Sequence, residues 1–331
     1  MAMSSKKTSK PFSNQTLPSD WHDRLSIPVV MAPMFLVSGP DLVIAGCKKG
    51  IVGTFPALNQ RTSEGFEDWL IQITTELSDF EQQTGKQAAP FGVNLIVHES
   101  NPRLETDLAL CIKYKVPLVI TALGAIRDVV DQVHNYGGVV FHDAASVQHA
   151  QKAAGANVDG IIAVSSGAGG HAGTINPFAL VEEIRTFWNK TLLLGGCINH
   201  GHQIHAAQIM GADLAYMGTR FINTLESRAP SGHKAMIIDC NAEDVIHTPA
   251  VTGVPSNFMK KSLIDAGYDM DALFNPGKVN FGEKLTPAGS DSSKAWQDVW
   301  SAGQGVGGIS DIVSCDRLVD QMISEYNESV R

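Results

Sequence analysis

Short apolar runs rich in β-branched residues recur along the chain from Ile27 to about Leu225. Each is followed by a turn of Gly, Ser, Asn or Pro and then by an amphipathic stretch. The runs are Val29-Val30-Met31, Ile51 to Thr54, Phe91 to Ile96, Leu118 to Thr121, Val139 to His142, Gly160 to Val164, Leu192 to Gly195 and Leu214 to Met217. They are continuous rather than alternating, which is the pattern of parallel strands buried on both faces. Helical spacing marks the stretches between them, among them Asp41–Lys49, Glu64–Phe80, Arg103–Lys115, Ala125–Tyr136 and Phe178–Trp188. Pro102 and Pro177 fall near helix starts, where a missing N–H costs little. Gly50, Gly137, Gly155 and Gly211 fall where helices should stop.

Eight strand–helix units in series predict an α/β fold closed as a (β/α)8 TIM barrel. A doubly wound open sheet is the alternative topology, because periodicity does not report closure. The expected organisation is an N-terminal extension over 1–26 and the barrel over 27–225. An inserted lid or subdomain over 226–300 comes next, and a C-terminal segment over 301–331 packs back on the barrel. The eighth helix is expected to begin at about Gly218. The insertion is rich in Gly, Pro, Asn and Asp, with helical candidates at His233–Cys240 and Asn257–Ala266. In the tail, Val313, Leu318, Val319, Met322 and Ile323 form an apolar stripe along a helix predicted over Ile312–Tyr326.

Composition narrows the classes of function. The chain has 331 residues, 44% of them hydrophobic, which suffices for a large core. Its formal net charge of −9 repels phosphate backbones, and pairs such as Lys6-Lys7 and Lys260-Lys261 are too short to reverse this, so no nucleic-acid partner is expected. The five cysteines are widely spaced and contain no CxxC pair, which argues against a disulfide framework or zinc knuckle and suits a reducing cytoplasm. The polar N-terminus has no apolar signal-peptide core, and no run reaches the ~20 apolar residues of a membrane span. The chain therefore reads as a cytoplasmic protein with no membrane partner.

Candidate chemistry gathers at the strand ends. Gly195-Gly196 and Gly218-Thr219 each close a predicted strand and open a helix one crossover apart. The loops there commonly bind phosphate, and glycine permits the close approach of backbone N–H groups that phosphate requires. Thr219 adds a hydroxyl. After the sixth run, Ser165 to Gly173 carries four glycines around His171, a loop able to lie flat against a planar ring. Imidazole suits a general acid or base because it titrates near neutrality. An isolated histidine is more often a solvated surface residue, but one set among glycines at a barrel rim favours function. A dinucleotide fingerprint at Gly167-Ala168-Gly169 lacks its acidic ribose partner about twenty residues on. Ala32-Pro33-Met34 after the first strand and Asn94 in the third fall on the same rim; Met34 offers a polarizable contact and Asn94 an amide. His200, His202 and His205 have no accompanying carboxylates and read as a solvated helix start, not as a metal site. Ser231, His233 and Asp239 supply the residue types of a hydrolase triad without a nucleophile-elbow sequence.

MAPM at the first strand, FGVNL at the third, AGGHAG after the sixth, GG at the seventh and MGTRF at the eighth resemble the nitronate monooxygenases, as does the late Ala302-Gly303-Gln304-Gly305. The resemblance spans about Ile27 to Phe221. It implies an FMN-dependent TIM barrel that oxidises alkyl nitronates with O2. By that resemblance Ala32, Pro33 and Met34 line the flavin, Asn94 meets its polar edge and Gly170 lies near the ring. Gly195, Gly196, Gly218 and Thr219 hold the phosphate, Gln304 reaches the cofactor from the returning segment, and His171 is catalytic. The partners implied are O2 and a small-molecule substrate: nitronate, nitroalkane or quinone. A homo-oligomer is left open.

The same superfamily includes enoyl reductases and quinone reductases that use NAD(P)H, which makes an NAD(P)H-dependent flavin reductase of quinones or enoyl thioesters the alternative. A non-catalytic flavin- or phosphate-binding protein is the reading from another class. Two departures stand out: His142-Asp143 replaces the usual His-Lys, and Ser165-Ser166 replaces an acidic residue before the glycine loop. Loss of a cation beside the ring disfavours an anionic flavin.

Overall fold

The structure is a computed structural model that describes residues 16–18, 20–98, 100–122, 127–251, 253–270, 273 and 299–331. Eight parallel strands close into a barrel: β1 (Val29–Met31), β2 (Val52–Pro56), β3 (Phe91–Ile96), β4 (Leu118–Ala122), β5 (Val139–Ala144), β6 (Gly160–Val164), β8 (Thr191–Gly195) and β9 (Leu214–Met217). Closure comes from β1 against β9, with Val30 beside Tyr216 and Met31 beside Met217. The continuous apolar runs have their cause here: side chains facing inward fill the barrel, and those facing outward meet the helices. Val29, Val30, Val93, Leu118, Ile162 and Leu193 are fully buried. The closed topology excludes the open sheet.

Helices α1 (Trp21–Arg24), α2 (Pro40–Lys48), α3 (Ser63–Thr84), α4 (Leu104–Lys113), α5 (Arg127–Asn135), α6 (Val147–Gly155), α7 (Pro177–Arg185) and α8 (Gly201–Ile209) come before or between the barrel strands. Pro40 and Pro177 occupy first helical positions, as Pro does where the N–H has no partner. Gly50, Gly137 and Gly211 take positive φ after their helices, whereas Gly155 ends α6 and the left-handed step falls on Asn157.

Part of the N-terminal extension belongs to the main core, through buried Leu17, Trp21 and Leu25. Thr191, the first residue of β8, donates its hydroxyl to Thr16 O at 2.6 Å. Arg24 Nε donates to Ala88 O at 2.7 Å, shortly before β3. Both contacts lie at strand beginnings, so this segment covers the N-terminal mouth and leaves the opposite mouth for a site. Residues 1–15 of the extension lie outside the described residues.

The eighth helix departs from expectation. After β9 the chain makes only α9 (Thr219–Ile222), and the outer ring is completed by the C-terminal helix Cys315–Ser329. That helix packs on α8 and α2, with Leu318, Val319, Met322 and Tyr326 buried. A Cβ on Gly201 would come within 2.2 Å of Met322 O, which measures how closely the two backbones approach. Tyr326 Oη donates to Gln208 Oε1 at 2.5 Å. A parallel bridge from Thr224 to Val313 rejoins the chain on the far side of the insertion.

Between these points lie α10 (Ser231–Asp239), β10 (Val245–Thr248), β11 (Ser256–Met259) and α11 (Lys260–Asp265). The stretch expected as a helix over 257–266 is thus a strand followed by a short helix. β11 pairs antiparallel with both β10 and a two-residue strand β7 (Gly170–His171), placing His171 beside Ser256. Most of the expected insertion beyond Met270 lies outside the described residues. Among the described residues, no helix is long and apolar enough to cross a membrane.

Candidate active site

The C-terminal ends of the strands enclose a cavity of about 400 Å³. It is reached by residues far apart in sequence because every barrel strand points its C-terminal end there. Ala32, Pro33 and Met34 enter from the turn after β1, Asn94 from β3, and Gly170 and His171 from β7. Gly195 enters from the end of β8 and Gly196 from the turn after it, and Gly218 and Thr219 enter where the turn after β9 opens α9. These ten share one cavity. Gln304 does not line it: its neighbours Gly303 and Gly305 do, while Gln304 is exposed and its backbone N–H donates to Gly167 O at 2.9 Å.

The glycine turns differ in what they require. Gly196 has φ of +133°, and a Cβ there would meet Ser165 Oγ at 2.5 Å, so the fold itself demands glycine. Gly218 has φ of −109°, which any residue can adopt. A Cβ on Gly218 would meet Ala32 Cβ at 3.6 Å and Met34 Cγ at 3.7 Å, both ordinary contacts. The backbone N–H groups of Gly196, Cys197, Gly218 and Thr219 donate to no acceptor among the described residues. Thr219 Oγ1 accepts the Gly303 N–H at 2.9 Å and retains its own proton to donate.

His171 is held by its backbone. Gly170 takes φ of +69° and donates its N–H to Ser301 Oγ at 2.7 Å, and Ser301 Oγ donates to Asn257 O at 2.6 Å. Asn257 Nδ2 donates to Ala168 O at 2.7 Å, so the insertion and the returning segment both clamp the loop. The glycine-rich stretch is therefore an ordered edge of a small sheet. Desolvation lowers the pKa of His171 below the ordinary imidazole value, which favours a neutral ring able to accept a proton. Ser165, one of the two serines before the loop, is structural: its N–H and Oγ both donate to Gly195 O, at 3.1 and 2.8 Å, and tie β6 to β8.

Several lining groups were not selected from the sequence as site residues. Tyr216 reads there as core, and His233 belonged to a discounted triad; both line the cavity. His233 stacks on Trp300 with ring centroids 5.3 Å apart, its Nε2 lies 3.1 Å from Ser301 O, and burial pushes its pKa down to about 4. Asp143, noted only as a departure from a family pattern, is the next-to-last residue of β5 and lines the cavity. Its Oδ1 is buried with no hydrogen-bond partner, and burial pushes its carboxyl up to about 7. An acid near the C-terminal end of a buried strand, at the mouth where the other candidates gather, is the signal that could have found it. Among the described lining residues there is no lysine or arginine. His200 caps α8 together with Gln203 and stacks on His202, and no metal-holding group of His, Cys, Asp or Glu occurs among the described residues.

The chain matches the family described as nitronate monooxygenase over residues 21–325. A nitronate monooxygenase from Neurospora crassa is 25% identical, covering 99% of this chain and 97% of that one. A Rhodococcus jostii dehydrogenase of a hydroxy-methyl-oxo-octahydroindene carboxyl-CoA compound is 26% identical over 72% of this chain, and the match spans only 64% of that relative. Among solved structures, FabK from Thermotoga maritima superposes with a TM-score of 0.77 at 24% identity, covering 96% of this chain and 98% of that one, which shows the shared fold. With a family match over most of its length and a closed barrel around one cavity, this chain belongs to the nitronate monooxygenase family of oxidoreductases.

Proposed function

We propose that the chain binds FMN in this cavity and oxidises alkyl nitronates with O2 in the cytoplasm. The observation that carries the cofactor reading is Gly218. Neither its φ nor its packing requires glycine, so the missing side chain is explained by a ligand that approaches the backbone there. The N–H groups of Gly196, Cys197, Gly218 and Thr219, with the Thr219 hydroxyl, suit a phosphate. Ala32, Pro33, Met34, Asn94 and Gly170 would hold the flat ring. When bound, FMN supplies the acceptor for substrate electrons and the donor to O2.

The chain's own contribution is positioning and proton handling. His171 accepts a proton from the carbon acid of a neutral nitroalkane or hydrogen-bonds a nitronate already formed. The Ser301–Gly170 bond fixes the backbone that carries it.

Two measurements test this reading. Gly218→Ala should fold as well as the parent yet lose FMN affinity at least tenfold; unchanged affinity would remove the phosphate assignment. Anaerobic mixing with propyl-1-nitronate should bleach the flavin, and a flavin that stays oxidised at every nitronate concentration rules the reaction out.

The cation-free lining favours a second reading, because it offers an anionic nitronate no opposite charge. An NAD(P)H-dependent reductase of quinones or enoyl thioesters acts on neutral acceptors, and the Rhodococcus relative is named for a CoA compound. Rapid bleaching by NADH or NADPH with no response to nitronate would establish that reading in place of the first.

A further inference from the structure

Asp143 is half-buried and stands apart from the buried acids described in the barrel region. Asp213 accepts from Arg185 Nη2 at 2.9 Å and from Leu192 N at 2.7 Å, and Asp107 is paired with Arg103 at 2.9 Å. Among the described residues Asp143 has neither kind of partner: its Oδ1 is shut off from solvent without a hydrogen bond, and the residue lines the cavity. A buried carboxyl without partners is costly, and the ionised form far more so than the neutral one.

The neighbours offer no compensation. Tyr216 on β9 is the ionisable group coupled to Asp143, and burial followed by that acid's charge holds its phenol protonated. Cys197 after β8 is raised by burial, His171 on β7 is lowered, and His233 on α10 is lowered to about 4. On β5 itself, His142 is turned to Thr121, its Nδ1 2.8 Å from Oγ1, and is pushed down to about 4 by burial and by His149. Among the described residues, no lysine or arginine therefore meets Asp143 from the elements that line the cavity.

We propose that Asp143 is a ligand-recognition residue whose protonated carboxyl donates a hydrogen bond to a carbonyl, nitro or ring-nitrogen acceptor of a flat conjugated ligand in this cavity. The acceptor belongs either to the flavin or to the substrate, and the inference rests on the proposed FMN site. Ionisation of Asp143 removes the donor and adds a charge that repels an electron-rich acceptor, so the ligand binds the protonated form. Binding then couples to retention of one proton: the ligand complex holds it at a pH where the free protein has released it.

The test is FMN affinity of the apoprotein between pH 7 and pH 9, for the parent and for Asp143→Asn, read by quenching of flavin fluorescence. If the acceptor is on the flavin, the parent Kd climbs toward tenfold per pH unit above the Asp143 titration, and the variant curve is flat. If the acceptor is on the substrate, FMN binding is flat in both, and nitrobenzene binding to the FMN-loaded protein carries the pH dependence instead, again lost in the variant. Should the variant aggregate, calorimetry of the parent at pH 8 in two buffers of different ionisation enthalpy reads proton uptake directly, close to one proton per ligand. FMN binding with no proton linkage at either step overturns the inference and leaves the proposed function standing. No FMN binding at any pH overturns both.

Discussion

Replacing Asp143 by Asn should make the ligand-free protein more stable, and only at high pH. The wild-type carboxyl is pushed up to about 7 from an ordinary 3.8 by burial alone. The folded chain therefore keeps a proton that the unfolded chain releases. Its contribution to stability is fully present below about pH 4, falls as pH rises toward 7, and is constant above. A shift of about three units corresponds to roughly 4 kcal/mol in full, since each unit is about 1.4 kcal/mol. Because Asp143 is only half-buried, this is an upper bound. Asn has nearly the same shape and leaves a similar unpaired oxygen, so the comparison isolates charge. Urea unfolding at pH 5 and pH 8.5 should show the Asn variant gaining on the parent by about 1–3 kcal/mol between those conditions. Parallel curves for the two proteins, with no widening of the gap, would refute the reasoning, because every other titrating group is common to both.

Other substitutions separate the cradle, the loop and the chemistry. Gly196→Ala should be destabilised by about 1–3 kcal/mol, since it forces a Cβ onto a positive φ and against Ser165 Oγ, and thermal melting would show this without FMN. Ser301→Ala leaves the Gly170 N–H and Asn257 carbonyl unpaired; it should cost roughly 1–2 kcal/mol and lower kcat with little change in FMN affinity. His171→Ala should keep its flavin spectrum and lose about 10²–10⁴ in turnover of a neutral nitroalkane, as removal of a general base does. Parent-like turnover would remove His171 from the mechanism. Tyr326→Phe deletes only the bond to Gln208 and should cost about 1 kcal/mol in unfolding experiments while leaving kcat and KM alone.

The barrel was legible because its strands are buried on both faces. Continuous runs such as Leu192-Leu193-Leu194 and Gly160 to Val164 can satisfy that environment and few others. The order of the units then placed the strand ends, and ten of the eleven residues taken from those ends and from the returning segment line one cavity. Periodicity reports which face of an element is apolar, not which element will cover it. The eighth outer position therefore could not be read: Gly218 opens only one helical turn, and the helix filling the position starts at Cys315. The pairing of Gly170-His171 with Ser256-Asn257 was hidden for a related reason. Both segments are polar, their partners are distant in sequence, and what stabilises them is backbone hydrogen bonding that no side-chain pattern records. Gln304 shows the limit of a motif, since its backbone holds Gly167 while the adjacent glycines face the cavity.

The cavity's electrostatics also argue for one direction of ligand entry. Among the described residues, the turns after β8 and β9 present N–H groups without internal partners, whereas β5, separated from β8 by β6, presents a carboxyl oxygen without one. Backbone amides stabilise a doubly charged phosphate without any cation, which is consistent with a lining that has neither lysine nor arginine. An ionised Asp143 would repel the same phosphate, whereas its protonated form donates a hydrogen bond to an acceptor on the ring. A molecule with a phosphate at one end and a neutral conjugated ring at the other has one orientation that satisfies both. The cavity thus supplies the orientation of its ligand from two unsatisfied sets of hydrogen-bonding groups, with no net charge required. Reversing the polarity of one end should reverse the preference: Asp143→Lys is expected to raise affinity for anionic substrates such as nitronates while weakening the discrimination that keeps a phosphate at the glycine turns. Inhibition constants for inorganic phosphate and for nitrobenzene, measured on both proteins, would expose that exchange.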